Sequence, residues 1–116
     1  MTDQPSGVAA EELAARYLAT QGLRVIGRNY RCRFGEIDLI AKDGEVLVFV
    51  EVRLRRSVRF GGALASITHA KQKKLIATAR YYLSGLRDVP SCRFDAILLD
   101  ALDARRIEWL RDIIAE

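Results

Sequence analysis

The sequence predicts an α/β fold, an α/β sandwich around a mixed central sheet flanked by helices, and three observations point to it. Apolar residues recur at helical spacing in two separate windows. Short runs rich in Val, Ile, Leu and Phe fall between and after those windows, each bounded by turn residues. Their order along the chain reads α-β-β-β-α-β-β, which a single layered domain can accommodate.

Residues 8–21 form the first expected helix, with Leu13, Ala14, Tyr17, Leu18 and Gln21 at helical spacing and Gly22 at the position after the helix end, where positive φ is wanted. Residues 23–32 (LRVIGRNYRC) alternate as a first strand. Residues 35–53 (GEIDLIAKDGEVLVFVEVR) read as two strands joined by an Asp43-Gly44 turn. The run Val46-Leu47-Val48-Phe49-Val50 is apolar on both faces and belongs in the middle of its sheet. Residues 55–66 hold Gly61-Gly62 and no steady period, which is expected of a mobile loop. Thr68 can cap a second helix running to Leu83, with Leu75, Ile76, Ala79, Tyr82 and Leu83 inward and Lys73 and Arg80 outward. Residues 92–100 and 106–110 complete the set as strands.

With 116 residues, half of them hydrophobic, the chain forms one domain over 1–116, and residues 1–6 are expected to be a disordered tail. No apolar run approaches the roughly 20 residues needed to cross a bilayer. The N-terminal segment lacks the basic and apolar regions of a signal peptide, so a cytoplasmic protein without membrane association is expected. Cys32 and Cys92 stand apart, without zinc or redox spacing, and read as buried free thiols. The net charge of +4 suits a polyanionic partner. Its distribution is more informative: Arg24, Arg28, Arg31 and Arg33, then Arg53, Arg55, Arg56 and Arg59, then Lys71, Lys73 and Lys74 all flank or follow the hairpin.

That hairpin carries acids beside apolar runs, where uncompensated charge costs several kcal/mol. If Asp43-Gly44 is a two-residue turn, paired residue numbers sum to 87. Asp38 then faces Phe49, Glu36 faces Glu51, and Glu36, Asp38, Glu51 and Arg53 project from one face. Asp38 and Glu51 become diagonal neighbours about 7 Å apart, repelling by about 2 kcal/mol at an effective dielectric near 20. Either a cation binds between them or Arg53 neutralises them. Oxygen ligands around open positions suit Mg²⁺ or Mn²⁺, which can polarise a phosphate and activate water. His69, the only histidine, has no accompanying nucleophile motif. Tyr81 and Tyr82 read as helix packing ahead of base-stacking platforms, Trp109 as core or dimer contact, and Asp95 as a structural tie to a nearby arginine.

The motifs Gly7-x-x-Ala10-Glu11-x-x-Ala14, Gly35-Glu36-Ile37-Asp38-Leu39-Ile40 and Phe49-Val50-Glu51-Val52 resemble the YraN-like family of small bacterial proteins. So do Phe60-Gly61, Lys71-Gln72, Arg93-Phe94-Asp95 and Ile107-Glu108-Trp109 further on. That family is similar in fold to archaeal Holliday junction resolvases, in the PD-(D/E)XK nuclease superfamily. The resemblance implies a restriction-endonuclease-like core, with Asp38 and Glu51 as ligands for Mg²⁺ or Mn²⁺ and Glu11 as an additional acid near the ion. It implies a catalytic set of Glu11, Asp38, Glu51 and Arg53 and a DNA partner, branched or single-stranded, with Arg31, Arg33, Arg55, Arg56, Arg59 and Lys71 as contacts. Homodimerisation follows from relatives that pair two sites to cut symmetric branches. The superfamily's lysine falls at Arg53, which keeps the charge but cannot release a proton near neutral pH. Three functions therefore stay open: a metal-dependent endonuclease, a nucleic-acid-binding module without cleavage, and an interaction protein whose carboxylates are locked in salt bridges.

Overall fold

A computed structural model describes residues 5–54, 67–99 and 104–114. Helix α1 (Pro5–Thr20) leads into strands β1 (Arg24–Cys32), β2 (Gly35–Asp43) and β3 (Val46–Leu54). Helix α2 (His69–Ser84), strand β4 (Cys92–Leu99) and, after a 3₁₀ turn at Ala104–Arg106, strand β5 (Ile107–Leu110) follow. The strands form one sheet in the order β1-β2-β3-β4-β5. The β3–β4 pair is parallel and the others antiparallel, so the sheet is mixed, as expected. The expected 55–66 loop lies outside the described residues, as does most of the expected 1–6 tail. Helix α1 starts at Pro5, inside that tail, proline being favoured at a first helical position.

Each helix covers one face. On the α2 side, Leu75 and Ala79 pack on Ile37, Ile40, Leu47, Phe49, Phe94 and Ala96. On the α1 side, Ala10, Ala14 and Leu18 pack on Leu39, Ala41, Val48, Val50, Ile97 and Leu99. Strand β3 alternates between the two cores, which is why its central run is apolar throughout. Thr68 accepts the Lys71 N–H at 3.2 Å and so caps α2 as its sequence implies. No helix among the described residues is long and apolar enough to cross a membrane.

Two expectations need correction. The β2–β3 connection is Gly44-Glu45 between paired Asp43 and Val46, so paired residue numbers sum to 89, not 87. Positive φ falls on Gly44 (62°) at the first central position, where a type II′ turn places glycine, rather than on both central residues as type I′ requires. Cys92 is exposed, because inward-facing positions in β4 begin at Phe94, and Cys32 is only half-buried; neither forms a disulfide.

A second cluster of charged side chains is built around Asp95 on β4. Asp95 is fully buried and accepts from Arg93 Nε (3.0 Å), Trp109 Nε1 (3.0 Å) and the Asp112 backbone N–H (2.9 Å). Arg93 also reaches Asp43 at 3.1 Å, and Trp109 meets the edge of Tyr17 with ring centroids 6.2 Å apart. Trp109 is thus a core residue, and Asp95 has the structural role expected of it. Because this cluster leaves the Asp95 carboxylate satisfied, removing it strands buried donors. Asp95→Ala is expected to lower stability by about 3 kcal/mol or more. Asp95→Asn, which keeps an acceptor, should lose less. Urea denaturation checks this, through the midpoint at unchanged slope.

Candidate functional site

At the end of the sheet opposite the Gly44 turn, β2 and β3 stop pairing after Leu39–Val50. The freed Asp38 carboxylate accepts the Val52 backbone N–H at 2.8 Å, replacing a ladder bond with a side-chain bond. Counted on from Leu39–Val50, Asp38 falls directly opposite Glu51, closer than the diagonal placement expected. The two carboxyls lie close enough for each to act on the other's proton affinity.

The alternation assumed for β2 does not hold here. Ile37 and Ile40 are both in the α2-side core, while Leu39 is in the α1-side core. Strand β1 changes sides at the same level. Arg28 reaches Glu12 of α1 at 2.7 Å, yet Tyr30, two residues on, packs with the α2-side core. Between them Asn29 has φ 52°, a left-handed conformation that asparagine tolerates better than most residues. Arg28 pairs with Leu39 and Tyr30 with Ile37, so the two changes fall at Asn29 and Asp38, facing each other. Asp38 thereby comes under the influence of Glu11 on α1 as well as Glu51 on β3.

A cavity of about 390 Å³ opens there, lined by Gly35, Glu36, Asp38, Glu51, Val52, Arg53, Lys71, Lys74 and Leu75. Glu36, Asp38, Glu51 and Arg53 do gather at one place, although by strand divergence rather than simple alternation. Burial raises the Asp38 carboxyl to about 7, with the Glu51 charge adding to it. Burial also raises Glu51, against the opposing pull of Arg53. The Glu11 carboxyl is raised by partial burial and then by Asp38, while a hydrogen bond from Asn29 works against both. Its neighbour Glu12 is held by Arg16 (2.8 Å) and Arg28 (2.7 Å), so the adjacent acids divide between structure and site.

Arg53 Nη2 lies 2.8 Å from Glu51 Oε2, the neutralisation weighed from the sequence, while its buried Nε has no acceptor among the described residues. Arg31 pairs with Glu36 at 2.8 Å on the cavity rim. Arg33 lies over the Phe34 ring. Arg55, Arg56 and Arg59 lie outside the described residues. Sequence reasoning missed Lys74, legible as one helical turn beyond Lys71, and Asn29, whose left-handed conformation leaves no mark in an apparently alternating strand.

Among the described residues no group of three or more His, Cys, Asp or Glu side chains is gathered to hold a metal ion. What the site offers is a pair of neighbouring buried carboxyls lining a cavity, with Glu11 close enough to feel the Asp38 charge. That donor set fits Mg²⁺ or Mn²⁺, which keep waters and take one or two carboxylates together with substrate phosphates.

The sequence profile described as "Uncharacterised protein family UPF0102" matches residues 10–99, which include Glu11, Asp38, Glu51 and Arg53. The chain belongs to this family. A UPF0102 protein of Nitrosospira multiformis is 54% identical over 112 residues, covering 97% of this chain and 94% of the relative. One from Methylobacillus flagellatus is 60% identical over 106 residues, covering 91% and 93%. A third, from Nitrosomonas europaea, is 54% identical over 110 residues, covering 95% and 93%. The UPF0102 profile thus spans α1 through β4, every element that supplies the cavity.

The sign of the pH dependence follows from Asp38. Its folded pKa of about 7 exceeds the ordinary 3.8, so between these values the folded chain holds a proton that the unfolded chain has lost. Stability should therefore fall as pH rises from about 4 to about 7 and level off above. Asp38→Asn keeps an acceptor for Val52 and removes the charge. It is expected to flatten this slope and, at pH 8 without metal, to raise stability by about 1 kcal/mol, or about 4 °C in Tm. Calorimetric melts across the pH range check both.

Proposed function

We propose that this protein is a metal-dependent endonuclease-like protein that binds DNA and hydrolyses its phosphodiester backbone. Branched or single-stranded structures are its substrate class. The observation that carries this reading is the Asp38–Glu51 pair: two neighbouring buried carboxyls, both raised by burial, lining a cavity that also holds Arg53, Lys71 and Lys74. Such a pair is a liability in the free fold and becomes favourable when a divalent cation replaces the proton. Placement in the PD-(D/E)XK superfamily, near Holliday junction resolvases, belongs to the same proposal. It is supported by the α-β-β-β-α-β-β order and by the meeting of the motif residues from β2, β3 and α1. A cytoplasmic site of action and a homodimer with two cutting centres go with it.

Asp38 and Glu51 are the residues that would hold Mg²⁺ or Mn²⁺, with Glu11 alongside. When bound, the ion polarises the scissile phosphate and lowers the pKa of an attacking water. The chain's own cations do the rest. Lys71 and Lys74 bring positive charge to the cavity and favour the approach of a phosphate. Arg53 has an unpartnered Nε–H and a guanidinium able to grip phosphate in a bidentate manner. Arg53 cannot act as a proton donor or acceptor near neutral pH, so its contribution is electrostatic.

The Arg53–Glu51 ion pair at 2.8 Å favours a second reading, a nucleic-acid-binding module without cleavage, because it already neutralises one ligand. The two readings separate in one experiment. Incubated with Mn²⁺ and branched, single-stranded or duplex DNA, the native protein is expected to give metal-dependent products. Asp38→Ala and Glu51→Gln should lower the rate at least about 100-fold, and Arg53→Lys should retain or raise it. Products absent from native and Arg53→Lys proteins alike, with Tm unmoved by Mn²⁺, defeat the nuclease reading. Steeply salt-dependent binding without products selects the module.

A further inference from the structure

Tyr81 and Tyr82 are adjacent in sequence but lie in opposite environments. Tyr82 is edge-on to Tyr30 (centroids 5.1 Å apart) and to Phe49 (5.9 Å) within the α2-side core. Tyr81 is 48% exposed, and its one ring contact among the described residues is a tilted one with Phe34, itself 39% exposed, at 5.8 Å. The expectation that Tyr81 is helix packing therefore fails; its side of α2 faces the tip of the β1–β2 hairpin. Arg33 lies over the other ring, its guanidinium carbon 5.0 Å from the Phe34 centroid. Two aromatic rings left half in water forgo burial that the fold could have used. A guanidinium over one of a pair of exposed rings is the company that nucleobases keep in single-strand binding sites.

The patch and the carboxylate cavity lie at the two ends of one helix ridge, whose midpoint, the fully buried Thr78, is covered by the hairpin tip. Lys71, Lys74, Thr78 and Tyr81 follow one another at intervals of three or four residues and so lie along one ridge of α2. Lys71 and Lys74 line the cavity at one end. Tyr81 touches Phe34 at the other. The hairpin tip rests on the middle of this ridge: a Cβ placed on Gly35 would stand 3.1 Å from Thr78 Oγ1 and 3.7 Å from Lys74 Cβ. From Lys71 to Tyr81 the helix rises about 15 Å, the span of a few nucleotides.

We infer that the Phe34–Tyr81 face, with Arg33, is a stacking platform for an unpaired base of a single-stranded nucleic acid whose backbone runs along Lys74 and Lys71 toward the carboxylate pair. The inference rests on the reading of that pair as a phosphodiester site and adds what selects the strand. In a continuous duplex each base face is covered by its neighbours, so the platform has nothing to take. At a single-stranded arm or a branch, a base face is free. The cations on either side of the rings suit a polyanion rather than an apolar protein partner.

Binding measured in EDTA, where no metal-dependent cutting occurs, separates this inference from the nuclease reading. Labelled oligothymidylate of about a dozen nucleotides, the oligouridylate and a matched duplex are titrated with the full chain by fluorescence anisotropy. At least one single strand is expected to bind about tenfold or more tightly than the duplex. Phe34→Ala and Tyr81→Ala should each weaken single-strand binding by about 5- to 100-fold. Both should leave duplex binding and the salt slope unchanged, while Tyr81→Phe keeps native affinity. A 2-aminopurine base in the strand should be quenched by the native protein and not by Tyr81→Ala. Both alanine positions are partly exposed, and unchanged circular dichroism melts confirm that the variants fold. Equal affinity for strand and duplex overturns the inference. So do alanine variants that bind like the native protein, and so does a Tyr81→Phe loss as large as that of Tyr81→Ala. A protein that cuts DNA with Mn²⁺ yet shows no single-strand preference keeps the nuclease reading and loses the platform. One that prefers single strands but never cuts does the reverse.

Discussion

Two carboxyl groups that cannot both ionise comfortably are held together at the end of this sheet, and much of the surrounding structure serves to keep them there. Strands β2 and β3 part after Leu39–Val50, and the Val52 N–H released by that parting bonds Asp38 instead of a backbone carbonyl. The left-handed turn of β1 at Asn29 falls opposite Asp38, so both strands change sides at one level. Without this coincidence Asp38 would not lie between Glu11 on one helix layer and Glu51 with Lys71 beside the other. Burial and mutual repulsion then push Asp38 to about 7, well above the ordinary carboxylate range.

The same chain contains a cluster of the opposite kind. Asp95 is also buried and also faces an arginine, but three donors meet its two oxygens. Asp38 and Glu51 meet one backbone donor, one guanidinium and each other, beside open space. Similar residue types in similar burial thus behave as a fastener in one place and as an unsatisfied pair in the other. The difference lies in the donors supplied, not in the acids.

The fold was legible because each element carried a local signal: the alternating core of β3, the Thr68 cap of α2 and the positive φ at Gly22. The site was legible in membership and less so in geometry. Turn type decides register, and the choice between Asp43-Gly44 and Gly44-Glu45 moved every pair by two; the gathering of Glu36, Asp38, Glu51 and Arg53 came instead from the change of side in β2 and its parting from β3. The paired change of side at Asn29 and Asp38 left no trace in hydropathy, because Arg28-Asn29-Tyr30 reads like any alternating segment. Tyr81 was misread for a similar reason: adjacent tyrosines on a helix differ by about 100° in direction, and only packing tells which of the two turns inward.

Gly35 links the two ends of the α2 ridge through a steric fit rather than a bond. Its φ of 149° and the 3.1 Å clearance that a methyl group would leave to Thr78 Oγ1 let the hairpin tip sit flush on the helix. The aromatic patch is attached to that tip through Phe34, and the acids are attached to the same strand through Glu36 and Asp38. Any displacement of the tip would therefore shift both together, so their spacing is that of a rigid ruler whose length is set inside β2.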